Sequence, residues 1–260
     1  MTNVVAIEDL GPAAEGEGGF LTLLRRRYRN RYENGEVSRP YVYEYIHRRG
    51  YDAVAIALYC VLGGVPHMGY RPGIRVPVYF RSKLALPLPD ERQYLFIPEA
   101  VAGSLEPRDR GVAGFLARVV AEVEEEAGFS IRPEEIEPLG SGFFPSHGQS
   151  SEKVHLCAAR VDLSARKDAK GDGSVNESDA PPVIFAPLRD ILLACAAGEI
   201  EDPKIEVLAN RLSTLLGYIP VLGRYARDGE REAQRPFQAA MSRAGFASVR
   251  DEKPCPEEKR

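Results

Sequence analysis

The stretch GVAGFLARVVAEVEEEAGF, residues 111–129, decides the reading of this 260-residue chain. Residues 111–127 are predicted to form a helix closed by Gly128 at the C′ position, where the left-handed backbone suits a residue without Cβ. Val119, Val120, Val123 and Ala127 supply its apolar stripe. Glu122, Glu125 and Glu126 stand at i, i+3 and i+4 and share a face. Four glutamates in the five positions 122–126 are locally unfavourable so late in a helix. Like charges repel, and negative charge at a helix C-terminus opposes the macrodipole. A carboxylate face of this kind is what hard divalent cations use, and magnesium typically takes one or two carboxylates together with water and substrate phosphate oxygens. The plainer account of an acidic run is a solvated face, and the cluster alone does not separate the two.

The rest of the composition is that of an ordinary globular chain, 44% apolar and 28% charged, with 34 Lys+Arg against 38 Asp+Glu. A formal charge of −4 is too mild for a nucleic-acid binder or an acidic interaction tail. No run approaches the roughly 18 apolar residues that a membrane span needs. The opening MTNVVAIEDLGPAAEGEGG lacks the basic-then-apolar pattern of a secretory signal, so a cytoplasmic location is expected. Cys60, Cys157, Cys195 and Cys255 stand far apart, with no C-x-x-C pair and no histidines at zinc spacing. That argues against a disulfide scaffold or structural zinc and fits a reducing compartment.

Residues 1–19 are patternless and predicted to be a flexible tail. Residues 20–50 form a hairpin extension around Asn34-Gly35, expected as a type I′ turn with positive φ at both positions. Tyr41, Tyr43 and Tyr45 fall on one face of its second strand. The five arginines between Arg25 and Arg31 suggest either a nucleic-acid platform or, more simply, a solvated basic face. Residues 51–220 hold the main domain, and 221–260 a charged tail with at most one short helix around 231–243. Strands are predicted at 52–62, 65–71, 75–80, 93–103 and 154–163, helices at 188–198 and 205–217, and a polar loop at 164–180. Strands with few intervening helices suggest an α/β (α+β) fold, a mixed sheet flanked by helices.

The unit ending in Ala121–Phe129 resembles the Nudix box, G-x5-E-x7-R-E-U-x-E-E-x-G-U with U aliphatic or aromatic. Glu122, Val123, Glu125, Glu126, Gly128 and Phe129 match their positions. Ala121 stands where the box has arginine, and the span from Gly103 to Gly128 is four residues longer than the pattern. Counting back from the helix puts Ala113 at the first box glutamate, whereas counting forward from Gly103 puts Asp109 there. The box arginine mainly orients the glutamates, and Arg118, one turn before Glu122, is placed to substitute in part. Three further segments resemble the ADP-ribose pyrophosphatase branch of this family. They are IPEAVAG (97–103), FFPSHGQSSEKVHL (143–156), with His147 for a usual proline, and GEIEDPKIEV (198–207), with Ile205 for a usual threonine.

The resemblance covers roughly residues 20–220 and implies an α/β/α sandwich of the Nudix fold with an N-terminal β-hairpin extension. It implies magnesium, with manganese as a substitute, held by the Ala102 carbonyl, Glu122 and Glu126, with Glu125 sharing a further ion. Arg71 and Arg75 match positions that meet substrate phosphates, a role suited to the planar guanidinium. The alternative for both is a surface loop. Glu99 and Glu152 are implied polar contacts to substrate. The catalytic carboxylates would be Glu125 and, from the 164–180 loop, Glu177, with Asp172 and Asp179 also available there. His47, His67, His147 and His155 are isolated and read as structural, and no nucleophilic triad is present.

The expected activity is magnesium-dependent cleavage of the diphosphate of ADP-ribose or a related nucleoside diphosphate derivative. A homodimer is expected by analogy with the branch, with no membrane or nucleic-acid partner. The main alternative is a catalytically weak nucleotide-sugar-binding regulator of the same fold, motivated by Ala121 and the longer loop. A third is an RNA-associated protein using the arginine-rich hairpin, marked by steeply salt-dependent binding.

Overall fold

The run Ala53–Cys60 is apolar at every position because the strand it forms is covered on both faces. The structure, a computed structural model, describes residues 4–11, 19–48, 50–171, 173–175 and 179–246. In strand β3 (Ala53–Leu62), Ala53, Ala55, Ala57 and Tyr59 face one core, and Val54, Ile56 and Leu58 face the other. The alternation follows from the two-residue period of a strand. Helix α2 (Gly111–Ala127) packs on the second face through Phe115, Val119, Val123 and Ala127. Helices α3 (Leu188–Ala196) and α4 (Pro203–Leu216) pack on the first through Leu188, Ile191, Ile205, Leu208 and Leu212. The chain is therefore an α/β/α sandwich with a mixed sheet. Truncating any of these fully buried leucines would cost about 2–5 kcal/mol.

One edge of β3 pairs in parallel with β8 (Val154–Arg160), which in turn pairs with β7 (Ile136–Pro138). The other edge is divided. Ala53–Ile56 pairs with β6 (Val101–Ser104), whereas Tyr59–Leu62 pairs with β4 (Val65–Gly73). Beyond that pairing β4 continues to β9 (Ile184–Pro187) and β5 (Ile97–Glu99). Strands β10 (Tyr218–Ile219) and β11 (Arg224–Tyr225) form a small separate ladder. Helix α5 (Asp228–Ala244) follows.

The N-terminal hairpin pairs β1 (Leu21–Tyr28) with β2 (Tyr41–Arg48). Its tip differs from the expected type I′ turn. Gly35 has φ +85°, but no non-glycine residue among those described has positive φ, so Asn34 does not. The Gly35 N–H donates to Tyr32 O at 3.0 Å and Tyr32 N–H to Glu36 O at 2.9 Å. This is the three-residue loop with glycine as the bulge residue, and the Asn34 side chain accepts the Glu36 N–H at 3.1 Å.

Residues 75–80 are not the expected strand. They begin a helical turn, α1 (Val76–Tyr79), that continues as a tighter turn to Lys83. Pro77 stands in its first turn, where fixed φ is suitable and a missing N–H costs nothing. The expected single strand over 93–103 is two strands broken at Ala100. The helix expected to be short around 231–243 runs 17 residues, because the Glu230 carboxylate caps its start by accepting the Arg227 N–H at 2.8 Å. Strands β7 and β9 carry no sequence signal, being too short to show a period. Among the described residues no helix is long and apolar enough to cross a membrane.

Candidate active site in the fork of the sheet

The divided edge of β3 makes β4 and β6 diverge, and the chain crosses the gap at Ala100. The Ala100 N–H donates to Asp202 Oδ2 at 3.0 Å instead of to a strand. Asp202 is also the N-cap of α4, accepting Lys204 N–H at 2.9 Å, with Pro203 in the first turn. The GEIEDPK segment thus starts a helix and pins the strand switch with one carboxylate.

Glu126 spans the gap. Its Oε1 accepts from Arg71 Nη1 on β4 at 2.7 Å, and its Oε2 accepts the Ala102 N–H on β6 at 3.0 Å. Arg71 and Glu126 are both buried. Breaking such a pair by removing one partner typically costs about 3–5 kcal/mol, because the remaining charge is stranded. Since the Ala102 N–H bonds to Glu126, Ala102 occupies a position of the antiparallel ladder not bonded to β3. Its carbonyl therefore points outward from the same edge.

One turn earlier, the buried Glu122 carboxylate lies on the backbone of Gly103 so closely that an added Cβ there would overlap it. Position 103 is not left-handed, so its glycine is explained by this close approach. Arg118 holds the other side of Glu122, with Nη1 3.7 Å from Glu122 Oε1, Nε 2.9 Å from Asp109 Oδ2 and Nη2 3.3 Å from Glu106 Oε1. Burial pulls the Arg118 guanidinium down, but the Asp109 hydrogen bond and the charges of Asp109, Glu122 and Glu106 outweigh it and raise it above its ordinary value. Of the two ways of counting the box, the structure brings Asp109 into this network and leaves Ala113 exposed.

The other expected residues are distributed around this centre. Glu125 is half-buried, and its backbone carbonyl accepts the Gly171 N–H at 2.8 Å. Glu124 is held below the usual carboxylate range by its hydrogen bond to Lys170. Arg75 forks onto Glu99 through two bonds of 2.6 and 2.8 Å, and Glu99 lies over Gly73, where a Cβ would overlap it. Glu99 stands opposite Arg71 in the β4–β5 register. Glu152 pairs with Arg48 at the end of the hairpin, and Arg48 also donates to Ser104 Oγ at 2.5 Å. Glu177 and Asp172 lie outside the described residues, and Asp179 is exposed. His155 is buried against Asp52 at 3.0 Å and Phe115. His67 bonds to the Val65 carbonyl and His47 to Tyr51.

Asp202, Glu106, Arg48 and Ser104 join the site without having been singled out from the sequence. The helix expected from residue 205 begins instead at Pro203, where Asp202-Pro203 is the local start signal that the apolar stripe does not show. Arg48 and Ser104 carry no local signal, since they meet across elements.

Among the described residues no three His, Cys, Asp or Glu side chains gather as a metal site. The donors that do converge are the Glu122 and Glu126 carboxylates over the Ala102–Gly103 backbone, all hard oxygens. Two carboxylates suffice for magnesium when water and phosphate complete the shell, so the residues fit. A groove of about 780 Å³ lies elsewhere, at the ends of β3 and β8 around Cys60, Phe129 and Arg160. The fork is the stronger candidate because buried charges concentrate there, whereas volume alone names no chemistry.

No protein-family model matches the chain, and no curated protein matches it. It resembles an ADP compounds hydrolase of known structure. The two align over 77% of this chain and 88% of that one, at 16% identity and a TM-score of 0.46. A likeness at that level assigns neither family nor activity.

Proposed function

We propose that the chain is a Nudix hydrolase of the ADP-ribose pyrophosphatase type, cleaving the diphosphate of ADP-ribose or a related nucleoside diphosphate derivative with magnesium. The observation that carries this reading is the pair Glu122 and Glu126, one turn apart, both laid on the backbone of Ala102–Gly103. Glu122, Glu126 and the Ala102 carbonyl would hold magnesium or manganese, with Glu125 sharing a further ion. Held there, the metal would supply positive charge to offset that of the diphosphate and to favour both water attack and phosphate departure.

Arg71 and Arg75 bind the phosphate oxygens, and their carboxylate partners Glu126 and Glu99 hold them in place beforehand. Glu99 and Glu152 orient the substrate. Glu125 or Glu177 accepts the proton of the attacking water. The water oxygen bonds to phosphorus, and the bridging oxygen leaves with the electrons of the broken P–O bond. From ADP-ribose the products are AMP and ribose 5-phosphate. A homodimer in the cytoplasm, with no membrane or nucleic-acid partner, completes the proposal.

A second reading, a nucleotide-sugar sensor of weak activity, is favoured by the Arg71–Glu126 pair, which neutralises a carboxylate without any metal. The variants Glu122→Gln and Glu126→Gln separate the two. On the hydrolase reading each lowers magnesium-dependent turnover by roughly a hundredfold or more, the loss of several kcal/mol of charge stabilisation. Circular dichroism should stay that of a folded chain. A folded Glu126→Gln variant with full activity would contradict the assignment.

A further inference from the structure

We infer that Arg118 is a positioning residue for the Glu122 carboxylate, and that the longer loop before α2 is what makes it one. The inference rests on the reading of Glu122 and Glu126 as magnesium ligands. At position 121, next to Glu122 in sequence, stands alanine, which cannot hold a carboxylate. Arg118 lies one helical turn earlier, on the face of Glu122, and its side chain is 13% exposed. A lone arginine on a helix would swing among rotamers, because its side chain carries about 2 kcal/mol of conformational entropy.

Here the loop removes that freedom. Asp109 takes Nε of Arg118 and Glu106 takes Nη2, which leaves Nη1 directed at Glu122. Two bonds within the loop hold these carboxylates in place. The Glu106 N–H donates to Asp109 Oδ2 at 2.9 Å, and the Asp109 N–H donates to Glu106 O at 2.9 Å. The loop lies down on the first turn of α2 only because residue 114 is glycine, where a Cβ would overlap the Asp109 backbone. Glu122 is thereby pressed between Arg118 and Gly103 and keeps one orientation toward the fork.

The test is manganese binding to the apo-protein, followed by electron paramagnetic resonance, together with melting temperature. Glu122→Gln should lose most of the binding. Arg118→Ala should weaken it about tenfold, as loss of an outer partner of a ligand does. Arg118→Lys, which keeps the charge but not the fork, should fall in between. Asp109→Asn should weaken binding in the wild type and have no further effect in Arg118→Ala, because it acts through that arginine. If Glu122→Gln loses binding while Arg118→Lys and Asp109→Asn keep wild-type affinity and only melt earlier, Arg118 is structural and the inference is overturned. If Glu122→Gln binds as well as wild type, the metal site itself falls, and the role of Arg118 with it.

Discussion

A methyl group at residue 103 would occupy the space of the Glu122 carboxylate. Gly103→Ala therefore tests the site without altering any charge. The variant should lose about 1–3 kcal/mol of stability from overpacking. It should also lose at least about tenfold in magnesium-dependent turnover as Glu122 is pushed off β6. Thermal melting and a hydrolysis assay check the two together, and wild-type turnover would mean that the contact is incidental. Much of the site at this scale is legible in the sequence. The spacing of Glu122 and Glu126 places them on one face, and Gly103 and Arg118 stand in suggestive positions. The partners of the arginines are not legible. Arg75 with Glu99, and Arg48 with Glu152, meet across separate strands and loops, and no local pattern encodes such pairs.

Helices read from their ends are the most legible elements. The boundaries of α2 agree with those read from its stripe and Gly128, because both cues are local. The fork is not legible, since it depends on Ala100 bonding to Asp202, about a hundred residues later. Helix α5 is longer than its sequence suggests because its start is fixed by a carboxylate and not by an apolar face. Glu230 accepts two bonds from Arg224, of 2.7 and 2.8 Å, and one from the Arg227 N–H. The Arg224 hydrogen bond, chiefly, pulls its carboxyl from 4.5 down to about 2. A depressed carboxylate stabilises the fold above its unfolded pKa, and that contribution is lost as pH falls from about 4.5 through about 2. Amide exchange in α5 should therefore be faster in Glu230→Gln than in wild type at pH 6, and the difference should shrink to a small remainder by pH 2. An equal difference at both pH values would contradict this.

At the scale of the whole molecule, the hairpin is the element least supported by its own chain. A two-stranded hairpin is marginal alone in water. This one touches the sandwich near its base, through the Ile46 N–H to Gln149 O at 2.7 Å, the Tyr43 hydroxyl to Gly148 O at 3.1 Å, and Arg48 to Ser104. Leu21, Leu23 and Val42 share the face that the register sets with Arg25 and Glu44, and all three are exposed. If the proposed homodimer forms, this strip is the surface to disrupt. Light scattering at micromolar concentration should give twice the chain mass for wild type and a monomer for the double variant Leu23→Asp, Val42→Asp. A monomeric wild type would contradict the proposal.

Hydrolysis itself is tested by release of AMP from ADP-ribose by the purified chain, with magnesium and with chelator, beside a panel of nucleoside diphosphate sugars. Turnover should require magnesium and disappear in Glu122→Gln. A folded protein that binds ADP-ribose but cleaves nothing in the panel, with or without magnesium, would contradict the hydrolase assignment.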